Sequence, residues 1–88
     1  MPHVIELFVA DHCLGCPDAR ARVQEFAATR QDIVVVERNV EHHLEEARRY
    51  GLFATPAIVL DGRTILYGAP TSAKLTACCE RLDAPAAG

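Results

Sequence analysis

The chain has 88 residues and a formal net charge of −3, enough for one small domain and not two. Half of the residues are hydrophobic and 24% are charged, a balance that excludes a disordered chain and leaves apolar side chains for a single core. An acidic chain offers no basic face for nucleic acid, and its apolar runs of about five residues fall far short of the roughly 20 needed to cross a bilayer.

The opening Met-Pro-His-Val-Ile-Glu-Leu has neither a basic n-region nor an unbroken apolar h-region. No signal peptide is expected, and a cytoplasmic location follows as the default. Val4 to Ala10 reads as a strand. Ile5, Leu7 and Val9 fall on one face, with Val4, Glu6, Phe8 and Ala10 on the other. Glu6 is its only charge, so most of both faces should be buried. Asp11 to Pro17 breaks the pattern. Gly15 and Pro17 suit a helix's first turn, where backbone N–H groups lack internal partners. A helix to about Thr29 follows, with Ala19, Val23, Phe26 and Ala27 on one face.

The β-branched run Ile33 to Val36 predicts a second strand. Asn39 marks its exit, and Val40, Leu44 and Ala47 trace a shorter helix that Gly51 ends. Ala57 to Leu60 is a third strand. Asp61-Gly62 predicts a two-residue hairpin, with Thr64 to Tyr67 as the return strand. Thr71 or Ser72 caps a last helix, whose apolar face is Leu75, Cys78, Cys79 and Leu82. The expected organisation is one domain over 1–88 with a core of about 3–82 and a frayed tail, 83–88. The order β-α-β-α-β-β-α predicts an α/β fold, a mixed four-stranded sheet flanked by helices.

The four cysteines carry the chemistry. Cys13 and Cys16 are separated by two residues, and Cys78 and Cys79 are adjacent. Neither pair closes a loop long enough to constrain the unfolded chain much. In a reducing cytosol such cysteines are more often catalytic or metal-binding than structural. Cys78 and Cys79 are explained as core on the last helix, since cysteine packs as a small hydrophobe. Cys13-Leu14-Gly15-Cys16 lies where the first strand ends and the first helix begins. There the unpaired N–H groups and the helix dipole favour thiolate over thiol. The spacer returns Cys16 to disulfide reach after one turn. Cys13 is therefore the expected nucleophile and Cys16 the more buried resolving thiol. Cys13 would attack a substrate disulfide, and Cys16 would displace the reduced product.

Cys-x-x-Cys also forms half of many zinc sites; the strand-to-helix placement favours redox. A soft-metal-binding or transfer module using Cys13 and Cys16, with His12 as a candidate third ligand, is the rival from another class. His42 and Glu46 could hold a metal weakly, though a solvated face accounts for them better.

The chain resembles small thioredoxin-fold proteins of the thioredoxin/glutaredoxin kind, over about Val4 to Leu82. The resemblance rests on Cys13-Leu14-Gly15-Cys16, on Thr55-Pro56 before a β run, and on Gly68-Ala69 before a terminal amphipathic helix. It implies a cis Thr55-Pro56 bond beside the cysteines. It also implies that Thr55 offers its backbone to an extended substrate, with Phe53, Ala54, Gly68 and Ala69 as an apolar rim. His12, Leu14, Gly15, Thr55, Pro56 and Gly68 are thus the expected substrate-contacting residues.

Three departures stand out. His12 replaces the aromatic residue that precedes the first cysteine in thioredoxins, and Leu14-Gly15 replaces Gly-Pro. Leu7 stands where thioredoxins bury an acid, and Glu6 should point to the other face. Ala69-Pro70-Thr71-Ser72 lacks the carboxylates with which glutaredoxins hold glutathione. The expected function is a thiol–disulfide oxidoreductase, working as a monomer without a prosthetic group or metal. Its partners would be disulfide-containing proteins or small molecules and a separate reductase. A glutathione-dependent glutaredoxin, with glutathione as co-substrate, is the alternative within the redox class.

Overall fold

The computed structural model describes residues 2–84. Its elements run β1 (His3–Val9), α1 (Cys16–Ala28), β2 (Ile33–Asn39), a 3-10 turn (Val40–His42), α2 (Leu44–Arg49), β3 (Ala57–Leu60), β4 (Thr64–Tyr67) and α3 (Ser72–Asp83). The strands form one sheet in the order β2-β1-β3-β4. β1 pairs parallel with β2 and antiparallel with β3, and β3 pairs antiparallel with β4. The mixed, helix-flanked sheet expected from the element order is present.

The alternation in β1 sorts the core into two layers. Ile5, Leu7 and Val9 join Ile58 and Leu60 of β3 against α1 and α3, which contribute Ala19, Val23, Phe26, Leu75, Cys78 and Cys79. Both α3 cysteines are free and buried, so they pack as core. Burial pushes the Cys79 thiol up from its ordinary range. On the opposite layer Phe8, Ala57 and Val59 meet Val40, Ala47, Tyr50 and Leu52. α2 has six residues and covers only the Phe8 end of that face. The paired residues Val4 and Val34 therefore stay 41% and 54% exposed, while every other residue of β1 is buried, as its composition predicts.

Glu6 shares this second face with Phe8, as the alternation requires. Its carboxylate accepts from Arg38 Nε at 2.9 Å and from the Tyr50 hydroxyl at 2.8 Å. The two partners satisfy a nearly buried charge that would otherwise be costly.

The helix expected from Val40 is divided in two. The Asn39 side chain accepts from Glu41 N at 2.9 Å, and His43 N donates to Val40 O at 3.2 Å, which closes a tight i→i+3 turn. His43, at φ −138°, then breaks the run before α2 begins. Gly51 ends α2 at φ +66°. Its N–H reaches Arg48 O at 3.0 Å while Leu52 N reaches Ala47 O at 2.9 Å, a Schellman pair that uses the last open carbonyls.

The hairpin turn has Asp61 and Gly62 both at positive φ, as a type I′ turn requires, and Arg63 N donates to Leu60 O at 3.0 Å; Leu60 pairs with Thr64, however, so the loop holds three residues, Asp61 to Arg63, where two were expected. Asp61 does more than turn the chain. Its carboxylate accepts from Val4 N at 2.7 Å and lies 2.5 Å from His3 Nδ1. The other ring nitrogen of His3 lies 3.2 Å from Asp83 Oδ2, at the end of α3. His3 is 2% exposed. The Asp61 hydrogen bond raises its pKa above 6.5 against the opposing effect of burial, with Asp83 adding to the rise. Asp83, placed in the expected tail, thus ends α3 and holds the first strand; residues 85–88 of that tail lie outside the described residues.

Candidate active site

β1 delivers the chain to a loop, Ala10 to Gly15, that turns directly into α1. Asn39 Nδ2 donates to Asp11 Oδ1 at 3.2 Å, which fixes this loop to the end of β2. Cys16 N donates to Cys13 O at 3.3 Å, and Ala19 N to Gly15 O at 3.1 Å. Gly15 is the N-cap residue and offers no side-chain cap. Pro17, at the head of the helix, removes an N–H that would have had no internal partner.

Cys13 and Cys16 form a disulfide, with sulfurs 2.08 Å and Cα atoms 5.4 Å apart. Cys16 is 4% exposed, whereas Cys13 is only half-buried. Leu14 points outward at 98% exposure. Gly15 faces the other way: a Cβ on it would stand 3.3 Å from Pro56 Cδ. The Thr55-Pro56 bond is cis, as the resemblance implies, and Pro56 is buried beside the Cys-x-x-Cys turn. Gly68 N donates to Pro56 O at 3.1 Å, which brings the end of β4 to the same place. Cys13, Leu14, Gly15, Cys16, Thr55, Pro56 and Gly68 therefore converge on one end of the sheet.

His12 is exposed, at φ +62°, in a left-handed region that histidine enters more readily than most residues. No hydrogen bond joins its ring to another described residue. Phe53, 82% exposed, stacks on Tyr67 with ring centroids 4.4 Å apart. This places Tyr67 beside a residue expected in the apolar rim.

Sequence reasoning also missed an open groove of about 330 Å³ on the α2 side of Thr55. Its lining comes from Ala10, from the Val40–Arg48 segment and from Leu52 to Thr55, three stretches that only the fold brings together. Among the described residues no group of three or more His, Cys, Asp or Glu side chains gathers to hold a metal ion. His43 Nδ1 stands 3.8 Å from Glu46 as an isolated pair. No helix among the described residues is long and apolar enough to cross a membrane.

Residues 3–80 match the family model described as a thioredoxin domain. The chain belongs to the thioredoxin family. A thioredoxin of Methanocaldococcus jannaschii is 42% identical over 72 residues, covering 81% of this chain and 85% of that one. A probable thioredoxin of Methanothermobacter thermautotrophicus is 36% identical over the same shares. The solved structure of a mutant thioredoxin from Halobacterium salinarum superposes with a TM-score of 0.77 at 25% identity, covering 97% of this chain and 78% of that one. A structure described as that of a malarial protein matches with a TM-score of 0.75 at 17% identity, covering 92% and 97%, and speaks for the fold alone. With its two cysteines at bonding distance in a thioredoxin frame, the chain is a thiol–disulfide oxidoreductase. The chemistry of thioredoxins resides in sulfur and needs no cofactor.

Proposed function

We propose that this oxidoreductase reduces disulfides with Cys13 as nucleophile and Cys16 as resolving thiol. The observation that carries the reading is the unequal burial of the two sulfurs at the start of α1: Cys13 is reachable and Cys16 is not. In the dithiol form, the helix dipole and the first-turn N–H groups stabilise a Cys13 thiolate. That thiolate attacks one sulfur of the substrate disulfide and expels the other as a thiolate, which takes up a proton. Cys16, once deprotonated, attacks Cys13 in the mixed disulfide and releases the second substrate sulfur. Two electrons pass to the substrate, and the protein is left with its Cys13–Cys16 disulfide.

Thr55 lends its backbone to the substrate chain, and Leu14, Phe53 and Gly68 form the contact rim. His12 stands at the edge of this surface. The chain works as a single cytoplasmic domain and as a monomer. Disulfide-containing proteins or small molecules are its oxidants. A separate reductase restores the dithiol, and glutathione is the less favoured donor, because Ala69 to Ser72 offers it no carboxylate.

A redox titration in defined dithiol buffers, read by mass spectrometry of the peptide spanning Cys13 and Cys16, tests this. A reversible disulfide with a potential near those of cytosolic reductants supports a reductase. A much less negative potential assigns an oxidant or isomerase instead, and the absence of any reversible Cys13–Cys16 couple overturns the redox reading.

A further inference from the structure

Both ring nitrogens of His3 face a carboxylate. Nδ1 lies 2.5 Å from Asp61 Oδ2, and Nε2 lies 3.1 and 3.2 Å from the two oxygens of Asp83. A neutral imidazole carries one N–H and one lone pair, so it donates to one acid only; two acids call for the doubly protonated ring. The ring is 2% exposed, and a buried cation needs partners of this kind. The other charged groups around it come from the segment between α1 and β2. Asp32, whose backbone O accepts from His3 N at 2.7 Å, engages Arg30 through both carboxylate oxygens. Arg30, the second cation acting on Asp83, is thereby occupied. Burial holds the Cys79 thiol of α3 above its ordinary range, so it stays neutral while the ring titrates. The two acids are held unequally. Asp61 also accepts from Val4 N at 2.7 Å, and its own N–H donates to Val4 O at 2.8 Å. Asp83 has the ring as its one side-chain partner among the described residues. As the last residue of α3, its negative charge opposes the helix dipole.

We propose that His3 is a pH-operated latch on the last turn of α3: the imidazolium joins Asp61 to Asp83, and the neutral ring keeps Asp61 and releases Asp83. As pH rises, the Nε2 proton leaves to solvent. Nδ1–H remains with Asp61, and a lone pair on Nε2 then faces the Asp83 carboxylate. With its partner gone, that carboxylate turns outward. The hydrogen bonds that close the turn, from Ala84 N to Glu80 O and to Arg81 O, then open more often. The opening falls above pH 6.5, because the Asp61 hydrogen bond raises the ring's pKa from that value against the effect of burial. The release is local to α3, since β1 keeps its sheet pairings and its contacts with Asp61.

The test follows the disulfide form, in which neither Cys13 nor Cys16 titrates, by NMR from mildly acid to alkaline pH. At the acid end both ring nitrogens of His3 are expected to carry protons. At the alkaline end Nδ1 keeps its proton and Nε2 has lost its own. Hydrogen-exchange protection of the Leu82, Asp83 and Ala84 amides, corrected for the intrinsic rate at each pH, should fall with the same midpoint. The fall should be about ten-fold, the low end for a lost hydrogen bond between charged groups. The Val4 amide should keep its protection. Asp83→Asn should abolish the pH response of the turn, since its amide accepts from a ring N–H or donates to a bare nitrogen. A ring with one proton throughout overturns the latch, and so does a neutral ring protonated at Nε2. Loss of protection at Val4 in place of the α3 turn, loss at neither, or an undiminished response in Asp83→Asn overturns it as well. Should that variant not fold, the wild-type titration decides alone.

Discussion

Gly15 packs on the ring of Pro56: a Cβ on Gly15 would meet Pro56 Cδ at 3.3 Å and Cγ at 3.8 Å. The backbone of Gly15, at φ −85° and ψ −8°, is one that any residue adopts. A Cβ here is free in conformation but asks the Pro56 ring to give by a few tenths of an ångström. Gly15→Val should therefore cost about 1–3 kcal/mol through overpacking, and Gly15→Ala less. Urea melts of the two variants check this; an unchanged midpoint for the valine variant would show that the contact is not tight.

Cys13→Ser is expected to abolish reduction of a model disulfide. Cys16→Ser should still attack but stall, and accumulate a mixed disulfide on Cys13. Intact-protein mass spectrometry distinguishes the two, since the adduct appears only in the second variant. Full turnover by Cys13→Ser would refute the assigned roles.

The His3 clasp predicts a pH dependence of stability. The pKa of His3 is raised in the folded protein, first by the Asp61 hydrogen bond, so protonation favours the native state. That contribution is fully present below the unfolded-state value of 6.5 and is lost as pH rises through the higher folded value. Thermal unfolding of the wild type should thus show a drop in Tm on going from neutral to alkaline pH. His3→Gln should flatten this part of the profile. An identical pH profile in the variant would remove His3 as its source.

Tyr50→Phe removes one of the two donors that hold the Glu6 carboxylate. A hydrogen bond to a charged group of this kind is worth about 1.5–3 kcal/mol. Taking the lower value, Tm should fall by about 6–12 °C for a domain of this size. The Tyr50 hydroxyl is held above its ordinary range, first by that bond and then by burial. Ultraviolet titration should accordingly show a late-ionising component in the wild type that Tyr50→Phe removes. Ionisation of Tyr50 in its ordinary range would count against the contact.

What the sequence disclosed and what it hid divide by distance along the chain. The Asp61-Gly62 turn, the Thr71 cap, whose side chain accepts from Lys74 N, and the entry to α1 are all set by residues within a few positions of one another. Pattern reading reached them for that reason. The disulfide pair was legible because Cys13 and Cys16 are three positions apart. His3 and Asp61 are 58 positions apart, and Glu6 and Tyr50 are 44. No periodicity connects such pairs, so alternation places Glu6 on its face but leaves its partners open. Leu14-Gly15 gained its meaning only from Pro56, a residue of another segment. The division at His43 was hidden because apolar spacing alone cannot tell one bent helix from two short ones.

β1 acts as a strut with different work at either end. Its first residue is gripped by Asp61 and Asp83, while the loop beyond its last leads to Cys13. Seven residues at about 3.3 Å each keep the two ends some 20 Å apart. Changes made at such a separation without shared partners add nearly independently. The clasp can therefore be strengthened to raise thermal tolerance while the sulfur end is retuned for another potential or another substrate, each without undoing the other.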